Sequence, residues 1–125
     1  MKDFAVRLSD RPGELAQVAT ALSRYGVNIK SLAGLAVDGE VMVRLIADEP
    51  EPARSALTKA NIPFEEGDVL TVLLENRAGE LAAVTAKLAS AGVNLRALYL
   101  TVIVDNLVEL AIVTNDVEKA RQVLE

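Results

Sequence analysis

Residues Asp10–Lys30 read DRPGELAQVATALSRYGVNIK, and residues Asn76–Arg96 read NRAGELAAVTAKLASAGVNLR. Ten of these 21 positions are identical at a constant offset of 66. Arg11, Gly13, Glu14, Leu15 and Ala16 recur as Arg77, Gly79, Glu80, Leu81 and Ala82. Val18, Leu22, Gly26, Val27 and Asn28 recur as Val84, Leu88, Gly92, Val93 and Asn94. Composition alone does not produce such a match. A repeat of this period sets the domain plan before any single residue is interpreted: one domain over residues 1–67 and a second over 68–125. Beyond Leu32 and Leu98 the match weakens, and small insertions shift the offset by one residue.

Working outward from that passage, each unit resolves into elements. Asp3–Ser9 alternates Phe4, Val6 and Leu8 on one face, the pattern of a half-buried strand. Arg11-Pro12-Gly13 breaks it. Pro12 suits a first helical position, where its missing N–H has no partner to lose, and Asp10 suits a side-chain cap. Leu15, Val18, Ala19, Leu22 and Tyr25 then follow helical spacing as one apolar stripe, and Gly26 closes the helix. Val27–Val37 is rich in strand formers, Asp38-Gly39 is a hairpin signal, and Val41–Ala47 is the return strand. Pro50 and Pro52 open a second helix with Ala53, Ala56, Leu57 and Ala60 facing inward, and Ile62–Glu66 is a short last strand. The order β-α-β-β-α-β is the ferredoxin-like arrangement, an α+β sandwich.

The second unit repeats the plan with a strand at Val69–Glu75, a helix at Gly79–Ala91 and strands at Val93–Val104 and Leu107–Thr114. A helix follows at Asp116–Glu125, carrying Val117, Ala120, Val123 and Leu124. No residues remain for a last strand, whether the chain ends short by design or the sequence is a truncation. A missing edge strand leaves its neighbour's backbone unpaired, so that edge is expected to be covered by a partner chain or by the first unit. The linker Glu65-Glu66-Gly67-Asp68 is short, which predicts that the halves pack as one body. The apolar run Leu98–Val104 reads as a buried central strand.

Composition narrows function. A chain of 125 residues buries roughly two thirds of its unfolded surface, enough for a modest core. The net charge is -5, and the basic residues are scattered. Aromatics make up only 3%. Together these argue against nucleic acid and against an anionic membrane surface. The hydrophobic content of 51% is high for a soluble domain and predicts an apolar surface used in association, with a homodimer expected. Cysteine and histidine are both absent, which removes thiol chemistry, the commonest general base and the commonest transition-metal ligand. No calcium-loop pattern occurs, no phosphate-loop pattern surrounds Gly13 or Gly79, and no cofactor or metal is expected. The chain starts directly into a strand pattern, and no apolar run reaches the ~18–20 residues of a membrane span. A soluble cytoplasmic protein without catalytic activity is expected.

At the strand–DRPGEL–helix–GVNI–strand passage the sequence resembles the ACT domain family, the small-molecule regulatory modules attached to many enzymes of amino-acid metabolism. The resemblance rests on Asp10–Leu15 with Gly26–Ile29, and on Asn76–Leu81 with Gly92–Leu95. It implies an amino acid bound between two ACT units, at the first strand-to-helix loop of one and the start of the second strand of another. The implied positions are Asp10, Pro12, Gly13, Glu14 and Leu15 with Asn28 and Ile29, and Asn76, Gly79, Glu80 and Leu81 with Asn94 and Leu95. Ala78 in place of Pro12, and the absent last strand, are departures that weaken the second site.

Physical chemistry gives this geometry a purpose. A helix start presents unpaired N–H groups and the positive end of the dipole, which suits a carboxylate. The amides of Gly13, Glu14 and Leu15 are the expected donors. Asn28 can donate and accept at once, and Asp10 can meet an ammonium group. Plainer readings stand beside these. On these readings Gly13 serves helix–sheet packing, Asp10 and Asn76 capping, and Asn28 and Asn94 the turn itself. Glu14 and Glu80 suit a first helical turn on charge grounds alone. Arg11 and Arg77 read as solvated, with an anion contact as the alternative, Tyr25 and Tyr99 as core or interface, and Asp48-Glu49 and Glu65-Glu66 as solvated turn carboxylates. Side-chain specificity is expected from Ile29–Ala36 and Leu95–Thr101, where the copies differ. Three functions remain open: an amino-acid-sensing module acting through self-association or a separate enzyme partner, a ligand-free dimerisation or docking module, and a small enzyme on the same scaffold.

Overall fold

A computed structural model describes all 125 residues. The chain divides into two compact units, Met1–Gly67 and Asp68–Glu125. In chain order the first set of elements is β1 (Lys2–Ser9), α1 (Glu14–Arg24), β2 (Ile29–Val37), β3 (Glu40–Ala47), α2 (Pro50–Lys59) and β4 (Phe64–Asp68). The second is β5 (Leu70–Glu75), α3 (Glu80–Ser90), β6 (Leu95–Val104), β7 (Leu107–Thr114) and α4 (Val117–Leu124). The fold is therefore ferredoxin-like βαββαβ followed by βαββα. Its sheets run β2-β3-β1-β4 and β5-β7-β6, the same order with no counterpart of β4 in the second. The stretch read as a linker belongs to β4, and Val69 alone separates it from β5.

In the first unit, alternation along β1 turns Phe4, Val6 and Leu8 to the helices. There they meet Val18 and Leu22 of α1, Ala53, Ala56 and Leu57 of α2, and Leu45 and Ala47 of β3. Phe64 of β4 completes this core, its ring 5.7 Å from that of Phe4. The second unit builds its core from Val84 and Leu88 of α3, Leu110 and Ile112 of β7, and Ala120 of α4, with Leu70, Val72 and Leu74 packed against them.

Three helices end in one way. The C″ amides of Val27, Ile62 and Val93 donate to Leu22, Leu57 and Leu88 at 3.1, 2.9 and 2.9 Å. The C′ amides of Gly26, Asn61 and Gly92 donate one turn inside at 3.0, 3.1 and 3.0 Å. These are Schellman closures, which need a left-handed C′ residue. The glycines supply it freely, whereas Asn61 at φ 57° is a closure that the sequence reading missed.

The helix starts differ from expectation. Pro12 precedes the helix, Gly13 is the N-cap in the left-handed region at φ 89°, and no side chain caps α1. Asp10 is instead fixed through its backbone, donating to Gly39 O at 3.0 Å. The buried stripe of α1 is Val18, Ala21 and Leu22; Leu15, Ala19 and Tyr25 are exposed, as is Ala60 at the end of α2. Leu15 in the first turn and Tyr25 at the C-cap lie at the helix ends, beyond the i, i+3, i+4 contact.

The largest correction concerns Leu98–Val104. β7 pairs with both β5 and β6, so β7 is the central strand and buries Leu110–Thr114. β6 is an edge strand, and Leu98, Leu100, Val102, Ile103 and Val104 are exposed. Apolar content marks both kinds of strand; only the pairing order separates them. The β2–β3 pair shifts register once, between Ile29 and Ser31. The β6–β7 pair shifts at the matching place and again between Leu100 and Val102.

On the sheet face opposite the first core, Arg44 reaches diagonally across the β1–β3 register to Asp3. Its Nη2 donates to Asp3 Oδ1 at 2.7 Å and its Nε to Oδ2 at 3.2 Å. The Asp3 side chain is 1% exposed and that of Arg44 25%. A bidentate pair of this kind satisfies the fork of the guanidinium and both carboxylate oxygens.

Candidate functional site

The two strand-to-helix loops are built to one pattern. Arg11 N donates to Ser9 O at 2.9 Å, and Arg77 N to Glu75 O at 2.9 Å. Glu14 N and Glu80 N each donate back to the arginine carbonyl at 3.4 Å. Gln17 and Ala83 make the first intrahelical bonds, to Gly13 and Gly79. The amides of Leu15 and Ala16, and of Leu81 and Ala82, are left at the helix start with no intrahelical acceptor. Of the expected donors Gly13, Glu14 and Leu15, the glutamate amide is already used, and the amide of Ala16 joins the set.

Gly13 and Gly79 are needed for conformation. Their φ angles are 89° and 92°, and a Cβ at either would meet nothing within 4 Å. Close helix–sheet packing is therefore not what requires them. Gly79→Ala is expected to destabilise the second unit by about 1–2 kcal/mol through left-handed strain alone. Urea titration checks this, with Gly79→Asn expected to cost less.

The charged residues of the loops are tied to one another. Arg11 lies 3.5 Å from Glu14. Arg77 lies 2.7 Å from Glu75 and 3.8 Å from Glu80. The side chains of Asp10 and Asn76 cap neither helix. Glu65 and Glu66 lie in β4, and Glu66 pairs with Arg54 at 2.6 Å.

Asn28 and Ile29 sit elsewhere. The β1–β3 register places Ser9 opposite Glu40 and Lys2 opposite Ala47. The Asp10–Gly13 loop is at the Glu40 end. Asn28 is at the Ala47 end, where its carbonyl accepts from Asp48 N at 3.3 Å and its Nδ2 donates to Asp48 Oδ2 at 2.9 Å. The separation along an eight-residue strand is about 24 Å. Asn94 repeats the arrangement with Asn115, but its own carboxamide is not engaged there: its backbone N–H donates to Asn115 Oδ1 at 3.0 Å. Ile29 and Leu95 pack onto the two cores. Each unit therefore assembles Asp10, Pro12, Gly13, Glu14 and Leu15, or Asn76, Gly79, Glu80 and Leu81, in one loop. Neither unit brings that loop to its own Asn28–Ile29 or Asn94–Leu95.

The second loop borders a cleft of about 390 Å³ lying wholly within the second unit. Glu75, Asn76, Arg77 and Glu80 form its polar rim. Leu81 of α3 and Leu98, Leu100 and Ile103 of β6 form its walls, over Val108 and Leu110 of β7. The volume falls in the range of small-molecule sites, and so does the balance of an apolar lining with a few polar groups. Leu98 and Leu100 fall in the stretch expected to give side-chain specificity, whereas Ile103 lies beyond it, in a run that reads as a core strand. In the first unit, Asn28 and Ile29 line a more open depression with Ala19, Leu22 and Ser23. No group of three or more acidic, His or Cys side chains is placed to hold a metal ion. No helix is long and apolar enough to cross a membrane.

The family described as ACT domain matches residues 4–60, and the first unit belongs to that family. The fold of the whole chain is similar to that of a protein from Bacteroides thetaiotaomicron, with TM-score 0.86 and 24% identity over 98% of this chain and 85% of that one. It is also similar to the ligand-free regulatory subunit of aspartate kinase from Thermus thermophilus, with TM-score 0.68 and 18% identity over 98% and 87%. A third similar structure contains the alpha and beta subunits of aspartokinase, with TM-score 0.70 and 18% identity over 98% and 88%. Among curated proteins none matches the chain.

Proposed function

We propose that this chain is a regulatory module that binds a small ligand, an amino acid, and passes the signal through self-association or a separate enzyme partner. The observation that carries the reading is the apolar cleft set against the uncapped start of α3. Free amides and Arg77 suit a carboxylate, and the excess of rim carboxylates suits an ammonium. The fold likeness to regulatory subunits of aspartate kinase supports the same reading. Because each loop lies at the end opposite its own Asn-bearing turn, a two-walled site requires the turn of an ACT unit in a second copy of the chain. A cytoplasmic homodimer is the assembly this reading favours. A ligand shifts such an assembly only by binding one state better than the other.

Thermal-shift screening of the twenty amino acids at millimolar concentration tests the proposal. A ligand at a hundred times its Kd adds about 2.7 kcal/mol of stability. Stabilisation by none of them would sink it. A ligand-free docking module is the second reading, favoured by the exposed apolar β6 edge and by the commitment of Asn28 to Asp48. Solution mass with and without amino acid separates the two: a ligand-dependent mass supports sensing, and a constant dimer without binding supports docking.

A further inference from the structure

The second register shift of β6 has no counterpart in β2. It coincides with the place where the repeat offset changes. Gly34 and Leu100 occupy equivalent places, opposite Val43 and Leu110, at an offset of 66. Ala36 and Ile103 are equivalent, opposite Val41 and Val108, at an offset of 67. The inserted residue is Thr101. Its Oγ1 donates to Glu109 Oε1 at 2.5 Å and lies 3.3 Å from Glu109 O, which ties the irregular strand to β7. A bulge of this kind reverses the alternation beyond it. Leu98 and Leu100 face the helices before the bulge, and Ile103 faces them after it. With Thr101 present but no bulge, strict alternation would place Val102 there.

We infer that the Thr101 bulge sets ligand specificity in the second unit by turning Ile103 into the cleft, so that the site takes an α-amino acid with a large aliphatic side chain. This rests on the small-ligand reading above and deepens it. The first unit has Gly34 and Ala36 where the second has Leu100 and Ile103, so only the second offers this apolar wall. Leu100 is 57% exposed and Ile103 61%, surface that a bulky aliphatic group would remove from water. The rim holds two carboxylates, Glu75 and Glu80, and one guanidinium, Arg77. That balance favours a zwitterion over a simple carboxylate: the ligand ammonium meets Glu80, and its carboxylate meets Arg77 and the amides of Leu81 and Ala82.

Isothermal titration of the full chain tests this with L-leucine, L-isoleucine, L-methionine, L-alanine, L-serine, L-aspartate, L-lysine and 4-methyl-2-oxopentanoate. The three large aliphatic amino acids are expected to bind at least roughly tenfold tighter than the others. Ile103→Ala is expected to weaken L-leucine binding by roughly tenfold or more and to leave L-alanine unchanged. Val102→Ala, on the other face, is expected to leave both unchanged. Both positions are exposed, so both variants should fold, and circular dichroism verifies that they do. Tighter binding of a polar or charged amino acid, or leucine binding that ignores Ile103→Ala or responds to Val102→Ala, overturns the inference and leaves the small-ligand reading standing. Binding of none of the amino acids overturns both.

Discussion

Phe4→Ala is expected to lower the stability of the first unit by about 3–5 kcal/mol. Phe4 is fully buried, and its ring meets that of Phe64 at 5.7 Å with the planes tilted by 58°. The loss combines the transfer of the ring, the cavity left behind and a ring pair worth about 0.5–1.5 kcal/mol beyond burial. The matching position in the second unit is Leu70, at the same offset of 66. No strand corresponds to β4 there, and Leu70 is only half-buried. Leu70→Ala is therefore expected to cost less, about 1–2 kcal/mol. Urea unfolding of the two variants gives the comparison. Equal losses would mean that the closing strand contributes little to the first core.

Arg44→Met is expected to cost about 3 kcal/mol, because it leaves the Asp3 carboxylate buried without its guanidinium. Arg44 keeps a quarter of its side chain in solvent, which places the cost at the lower end for buried pairs. The double variant Asp3→Leu with Arg44→Met is expected to recover most of it, since apolar groups of similar size often replace a buried pair without loss. A single-variant loss below about 1 kcal/mol would show that the pair behaves as a solvated surface bridge.

Element order, hairpins and helix ends were readable because each carries a local signal. Gly26 and Gly92 close helices, Asp38-Gly39 turns a hairpin at φ 51° and 81°, and alternation marks β1. Tertiary features were not readable in the same way. Asp3 and Arg44 are 41 residues apart, and neither is unusual where it stands. Gly13 caps α1 in the left-handed region, where Pro12 looked like the better start. Leu98–Val104 is apolar enough for a core strand and lies at an edge. Of the candidate site, the loop residues were legible because the repeat displays them twice. The apolar wall was legible only in part: Leu98 and Leu100 fall in the Leu95–Thr101 stretch expected to give specificity, whereas Ile103 lies beyond it and faces the helices only because the strand bulges at Thr101. The change of offset from 66 to 67 was the only trace of that bulge in the sequence.

The most direct test of ligand binding at the second loop is an amide chemical-shift titration of the full chain with L-leucine. The expected result is saturable shifts at Leu81 and Ala82, at the start of α3, together with shifts at Leu100–Ile103 of β6. Saturable shifts confined to other parts of the chain, or no shifts at millimolar leucine with the fold intact, would contradict it.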